Sequence, residues 1–100
     1  LIILLKRYTS NLRKNDKFIQ YPLKLNLKDY NKNYGTGKPN TYNLNGFCIH
    51  GGSLGGGHYY AVSQNALDKQ WYEYNDSNVS SITKKKVLEY TPYLFFYKRT

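Results

Sequence analysis

A histidine that directly follows a cluster of glycines is the feature of this sequence most suited to chemistry. Five of the eight glycines lie between positions 51 and 57, and His58 comes next. Glycine at this density marks a segment where another backbone approaches closely or where a loop must move. An apolar run ending at His50 precedes the segment and Tyr60-Ala61-Val62 follows it. We therefore expect a loop between two strands that presents His58 at the first residue of the second strand.

The next predicted strand offers His58 a partner. Predicted strands at 58–64 and 71–75 flank the turn-forming segment 65–70, which is typical of a hairpin. If residue 58 pairs with residue 75, the Cβ atoms of His58 and Asn75 lie about 4.5–5.5 Å apart on one face, and the amide oxygen can accept the imidazole Nδ1–H. A two-residue change of register would end the direct pairing but keep both side chains on that face.

An imidazole oriented by a carboxamide makes up two of the three parts of a Cys–His–Asn catalytic triad. The alternative is that His58 is an ordinary loop histidine without a catalytic role. The third part, a nucleophile, is missing. Cys48 lies mid-strand between Phe47 and Ile49, which predicts a structural thiol. A single cysteine forms no internal disulfide and no Cys-x-x-Cys pair, so we expect a reducing compartment, no metal site and no cofactor.

The net charge of +9 and the pI of about 9.6 raise the question of nucleic-acid or acidic-membrane binding. The lysines are scattered, however, and 84–86 is their only run. The apolar opening at 1–5 is too short to span a membrane and leads straight into Lys6-Arg7. We therefore expect an intracellular chain, cytoplasmic or nuclear, with neither a nucleic-acid nor a membrane partner.

The hydrophobic pattern predicts an α+β fold, mainly an antiparallel sheet of about five or six strands with one short helix near the C-terminus. Thr83 is the expected cap of that helix, which covers 84–88. Gly46 interrupts an alternating pattern and predicts a bulge. The predicted strands are 1–8, 23–27, 42–50, 58–64, 71–75 and 93–97, and the first of them is expected to be central in the sheet. Pro22 limits residues 18–22 to an edge strand or the start of a strand. Residues 29–41 are expected to form a surface loop and residues 77–81 a turn.

Several stretches, in order, resemble the ubiquitin-specific proteases, which are papain-like cysteine deubiquitinases. Residues 50–61, His-Gly-Gly-Ser-Leu-Gly-Gly-Gly-His-Tyr-Tyr-Ala, together with 71–79 and 93–97, resemble the histidine box of the family. Upstream, residues 1–8 are similar to its hydrophobic strand followed by Leu-Lys-Arg-aromatic, and 21–27 to the segment after it. The resemblance covers nearly the whole chain and implies the palm-like half of a papain-like cysteine protease.

The resemblance assigns catalytic roles to three residues. His58 is then the general base that deprotonates the thiol and later protonates the departing lysine amine. Asn75 takes the third triad position and holds the His58 ring and tautomer. Asp76 is a neighbouring carboxylate that assists catalysis, or, on the alternative reading, a turn residue that caps its own backbone.

The resemblance also implies a substrate channel. The glycine loop, with Gly55, Gly56 and Gly57, resembles a blocking loop that lies over the Gly-Gly tail of ubiquitin, where only residues without side chains leave room. His50 and Tyr59 are expected to bind substrate beside this tail. Trp71 is expected to lie in the core.

The chain departs from the family pattern because nothing in it resembles the upstream cysteine box or the zinc-binding finger cysteines. We therefore expect residues 1–100 to be a C-terminal fragment of a ubiquitin-specific protease catalytic domain, inactive when isolated. Its expected partners are ubiquitin or ubiquitinated proteins and the upstream half of the same catalytic domain. The alternative is a catalytically inactive ubiquitin-binding or scaffold module.

Overall fold

The structure is a computed structural model that describes residues 1–8, 13–30, 32, 40–51 and 57–100. Across these residues, seven strands form one antiparallel sheet in the order β1-β7-β3-β4-β5-β6, with β2 paired to β3. The strands are β1 (Ile2–Leu4), β2 (Lys24–Asn26), β3 (Thr41–Gly51), β4 (His58–Gln64), β5 (Trp71–Asn75), β6 (Asn78–Ile82) and β7 (Leu94–Arg99); a short helix α1 (Lys84–Val87) precedes β7, and a 3-10 turn (Lys28–Tyr30) follows β2. The predicted α+β fold, a mainly antiparallel sheet with one short helix, is confirmed.

Strand β3 is the centre of the sheet, since it pairs with β4 along one edge and with β7 along the other. The predicted bulge is present, because the β3–β7 register shifts between Leu44 and Gly46. A Cβ at Gly46 would lie 2.8 Å from the Val62 carbonyl oxygen, so β4 approaches β3 too closely for any side chain at this position.

The two faces of the sheet differ. Paired residues of neighbouring strands share a face, and the face alternates along each strand. One side, which we call the core face, carries Phe47, Ile49, Val62 and Phe95 and is covered by the segment around α1. Trp71 belongs to this core at 4% exposure, as predicted. Tyr21 also lies in the core, where its hydroxyl donates to the Val87 carbonyl oxygen at 2.6 Å.

Three predicted elements need correction. Strand β1 is not central: in the described part of the chain it pairs with β7 alone, and Ile2 and Leu4 are 65% and 59% exposed. Residues 18–22 form no strand, and Tyr21 is buried without one. The segment predicted as the turn 77–81 is largely strand β6, because Asp76, at φ 53°, completes a tight turn that lets Asn78 pair with Asn75.

The predicted helix cap is confirmed, since the Thr83 side chain accepts a hydrogen bond from the Lys86 backbone N–H at 3.2 Å. Most of the loop predicted at 29–41 lies outside the described residues, as do Gly55 and Gly56. Within the described ranges, no helix has the length and apolar character needed to cross a membrane.

Candidate active site

His58 and Asn75 lie together at one end of the core face. His58 is the first residue of β4 and Asn75 the last of β5, and the His58 Nε2 is 2.6 Å from the Asn75 Oδ1. A carboxamide oxygen only accepts hydrogen bonds, so Nε2 carries the proton and Nδ1 of the neutral ring keeps its lone pair. The predicted partnership is present, but the predicted donor atom, Nδ1, is wrong.

The register that joins the two residues differs by two positions from the predicted one. Gln64 pairs with Trp71 and Ala61 with Tyr74, which places Asn75 across from Tyr60 rather than from His58. The connection takes all six residues 65–70, closed by a hydrogen bond of 2.8 Å from the Asn65 N–H to the Gln70 carbonyl oxygen. Because the difference is an even number, the two side chains stay on one face and meet diagonally.

Asp76 lies near the same nitrogen of His58 that bonds to Asn75. Its Oδ2 is 4.0 Å from the His58 Nε2, and both side chains are open to solvent. The same residue forms the turn between β5 and β6. Its place in the predicted turn is thus observed, whereas a catalytic role of Asp76 stays a prediction; any attraction for a protonated His58 is weakened by water.

Two tyrosines support the His58 ring, and sequence reasoning did not identify them. The Tyr60 ring is stacked 6.2 Å from His58, and the Tyr90 ring meets Tyr60 edge-on at 6.4 Å. The Tyr90 hydroxyl donates to the Glu73 carboxylate at 2.5 Å. Burial raises the pKa of both hydroxyls, and the nearby Glu73 adds to the effect. For Tyr60, the available signal was its spacing of two residues from His58 on one strand.

The predicted substrate-binding residues His50 and Tyr59 meet on the opposite face of the sheet. The rings of His50 and Tyr59 lie 4.5 Å apart, and the Tyr8 hydroxyl and the His50 Nδ1 share a hydrogen bond of 2.5 Å. Tyr93 packs edge-on against Tyr59 at 6.1 Å. These four residues line a cavity of about 380 Å³, whose remaining lining comes from residues 4–7 and Lys14.

Gly57 lies between the two histidines, in contact with His50 and next to His58 in the chain. A Cβ built at Gly57 would fall 1.7 Å from the His50 Nε2, so the His50 ring fills the space that a side chain would need. The next residue along the chain is His58. The His50 ring thus excludes a side chain at position 57, while the predicted role of the glycines over the ubiquitin tail stays a prediction.

Cys48 is not placed to serve as a nucleophile for His58. It pairs with Ala61, three residue positions from the Gly51–His58 pair, or about 10 Å along the strand, and on the opposite face. Burial raises the pKa of its thiol, which favours the protonated form. Among the described residues, no group of three or more His, Cys, Asp or Glu could hold a metal ion.

Comparisons with known proteins identify the family of the chain. The family model described as "Ubiquitin carboxyl-terminal hydrolase" matches residues 1–97. Ubiquitin carboxyl-terminal hydrolase 10 of Arabidopsis thaliana is 39% identical over 103 residues, which cover 99% of this chain and 11% of the relative. Ubiquitin carboxyl-terminal hydrolase 8 of Saccharomyces cerevisiae is 39% identical over 109 residues, which cover 97% of this chain and 23% of the relative.

Solved structures show the same likeness. The structure of the Ubp8-Sgf11-Sgf73-Sus1 SAGA DUB module matches with a TM-score of 0.85 at 38% identity, over 100% of this chain and 24% of that chain. A SAGA DUB module bound to monoubiquitin matches with a TM-score of 0.84 at 38% identity, over 99% of this chain and 23% of that chain. The chain therefore spans about a tenth to a quarter of the relatives it matches. On the strength of these matches, it belongs to the ubiquitin carboxyl-terminal hydrolase family.

Proposed function

We propose that the protein carrying this chain is a cysteine-type deubiquitinase that hydrolyses the peptide or isopeptide bond after the C-terminal glycine of ubiquitin. In this proposal residues 1–100 are the C-terminal part of the catalytic domain, and a cysteine outside them is the nucleophile. The observation that carries the proposal is the 2.6 Å hydrogen bond between His58 and Asn75 in a chain of this family.

His58 acts as general base and then as general acid. With Nε2–H donated to Asn75, the lone pair of Nδ1 accepts the proton of the thiol. The thiolate attacks the carbonyl carbon after the ubiquitin glycine, the C–N bond breaks, and the departing amine takes the proton from His58. Water, deprotonated at the same nitrogen, then hydrolyses the thioester and releases ubiquitin with a free carboxylate.

Asn75 is a positioning residue and Asp76 a weaker electrostatic one. The carboxamide fixes both the ring orientation and the tautomer, so that Nδ1 is free in the neutral state. The Asp76 carboxylate, 4.0 Å from Nε2, attracts the imidazolium that forms when the thiol loses its proton. Because water surrounds this pair, Asp76 contributes less than Asn75.

His50, Tyr59 and Gly57 are proposed to bind the ubiquitin tail, together with Gly55 and Gly56. The aromatic cavity of about 380 Å³ offers apolar walls to an extended peptide. Gly57 contacts His50 and precedes His58, so a tail that passes over this backbone is led from the cavity towards the base. A side chain at position 57 would obstruct that route.

The test is hydrolysis of ubiquitin carrying a fluorogenic amide at its C-terminus, measured with the full-length protein. We expect the protein to release the fluorophore, and we expect thiol alkylation to abolish this activity. Ubiquitin binding without hydrolysis, insensitive to alkylation, would instead establish the catalytically inactive ubiquitin-binding or scaffold module.

A further inference from the structure

The acidic residues are concentrated towards one end of the sheet. Three of the six line one cavity beside Tyr60, together with Lys14 and Lys86, and a fourth, Asp76, lies 4.0 Å from His58. The opposite end of the sheet, where β4 ends and β3 begins, carries a concentration of basic residues. A separation of this kind orients charged partners as they approach.

A groove at this basic end is lined, among the described residues, by cations and carboxamides and by no carboxylate. It has a volume of about 280 Å³, and its polar lining consists of Asn43, Asn45, Gln64, Lys69, Lys98 and Arg99. We call it the basic groove. Asp68 is next to Lys69 in sequence, but its carboxylate accepts hydrogen bonds from the Tyr72 hydroxyl at 2.5 Å and from the Gln70 N–H at 2.9 Å. The Asp68 carboxylate is therefore held by these two donors and is not among the residues that line the groove.

The backbone and one cation of the basic groove are held in place before any partner arrives. The Arg99 guanidinium donates to the Tyr42 hydroxyl at 2.9 Å and lies 5.4 Å from the centroid of the same ring. Lys69 has a φ of 60°, and its carbonyl oxygen accepts the Gln64 side-chain N–H at 3.1 Å. The bulge beside Gly46 adds an extra residue, Asn45, which is exposed. Preorganised groups of this kind lose little entropy on binding.

A row of side chains extends the positive surface across three strands. Lys24 pairs with Asn43, and Asn43 pairs with Lys98, so the three residues lie side by side on β2, β3 and β7. All three are exposed. With neighbouring strands about 4.8 Å apart, the two lysines flank the asparagine at a separation of about 10 Å.

We infer that the basic groove docks an acidic segment of a partner protein. Lysine and arginine pair with its carboxylates, and Arg99 can offer the planar donor pair that suits them. The carboxamides of Asn43, Asn45 and Gln64 supply donors and acceptors for a peptide backbone. A single-stranded nucleic acid fits less well, because none of the described residues that line the groove has an aromatic ring on which a base could stack. The inference does not rest on the catalytic proposal, since the groove lies at the end of the sheet away from His58.

The test uses the full-length protein and a fluorescent peptide of alternating glutamate and glycine, followed by fluorescence anisotropy. The matched probes are the same peptide with glutamine in place of glutamate and a short DNA duplex. We expect the acidic peptide alone to bind with clear affinity, and binding to weaken as salt is raised. The variant Lys24→Glu/Lys98→Glu should reduce affinity at least tenfold.

The control is Lys17→Glu/Lys85→Glu, which makes the same change in net charge at two exposed positions outside both the groove and the row of Lys24, Asn43 and Lys98. It should change affinity less than twofold, and circular dichroism should show both double variants folded. If either glutamate pair disturbs folding, Lys24→Gln/Lys98→Gln and Lys17→Gln/Lys85→Gln replace the two double variants. Equal losses in the two double variants, equal binding of the glutamine peptide, or tighter binding of the DNA duplex would each overturn the inference.

Discussion

The ring of His50 occupies the space that a side chain at residue 57 would need. A Cβ on Gly57 would fall 1.7 Å from the His50 Nε2 and 2.3 Å from its Cε1. The His50 ring is itself buried and held by the Tyr8 hydroxyl at 2.5 Å, so it has little freedom to move aside. The backbone before His58 is therefore positioned by a second histidine.

This contact predicts that Gly57→Ala impairs ubiquitin hydrolysis through His50. We expect kcat/KM of the full-length protein to fall about 10- to 100-fold, because the backbone that presents His58 must shift. The double variant Gly57→Ala/His50→Ala makes room for the methyl group and should be less impaired than the product of the two single effects. Strictly multiplicative losses would show that the two positions act independently.

Asn75 is expected to act through its side-chain oxygen. Asn75→Ala should lower kcat by about 10- to 100-fold with little change in KM, because the His58 ring loses its orientation and tautomer. Asn75→Asp keeps an acceptor and should retain most of the activity. Asp76→Asn, at the longer distance of 4.0 Å, should cost less than about tenfold. A larger loss in Asp76→Asn than in Asn75→Ala would reverse these two roles.

Cys48 is expected to be dispensable for catalysis. Burial raises the pKa of its thiol, and the residue lies on the face opposite His58. Cys48→Ala should leave kcat/KM within about twofold and lower the free energy of unfolding by about 1 kcal/mol. Thiol alkylation should still inactivate this variant. Its resistance to alkylation, or its inactivity while folded, would identify Cys48 as the nucleophile.

The sequence predicted most of what depends on local patterns. The pairing of His58 with Asn75 on one face followed from alternation along two strands and tolerated the error of two residues in register. That error arose in the connection between β4 and β5, where Lys69 adopts a φ of 60°. Lysine rarely takes this conformation, and no local sequence pattern predicts it here. Which nitrogen of His58 bonds to Asn75 depends on the ring rotamer and on the diagonal placement of the two residues. Strand register alone does not predict either of these.

Long-range contacts were beyond local reasoning. The hydrogen bond from Tyr8 to His50 spans 42 residues, and the contact of Tyr60 with Tyr90 depends on where α1 lies on the sheet. Strand β1 was predicted as central because its residues are apolar throughout, yet apolar character alone does not reveal how many neighbours a strand has. The row of Lys24, Asn43 and Lys98 beside the basic groove also required the register of three strands before its cations came together.

The buried hydroxyl of Tyr21 should make the free energy of unfolding fall at alkaline pH. Burial raises the pKa of its hydroxyl from 10.0 to about 12, because the neutral phenol fits the core and the anion does not. Its contribution is therefore fully present below pH 10 and is lost as the pH rises from 10 towards 12. Urea denaturation of the 100-residue chain at pH 8, 10 and 11 should show this decline.

Tyr21→Phe is the matched variant for that measurement. It removes the hydrogen bond to the Val87 carbonyl oxygen and should cost about 1 kcal/mol at pH 8. Its stability should then fall less steeply above pH 10 than that of the unsubstituted chain. A residual slope remains, because burial also raises the pKa of Tyr97 and of Tyr90. Identical slopes in the two proteins would contradict the assignment to Tyr21.

The most direct measurement of the central claim, that His58 is the general base, compares kcat/KM for a fluorogenic ubiquitin amide in the full-length protein and in its His58→Ala variant. Loss of the base should reduce kcat/KM at least about 1,000-fold. The Kd for ubiquitin should stay within a few fold, because His58 acts on the reacting bond rather than on the bound surface. A folded His58→Ala variant that cleaves ubiquitin at the normal rate would contradict the claim.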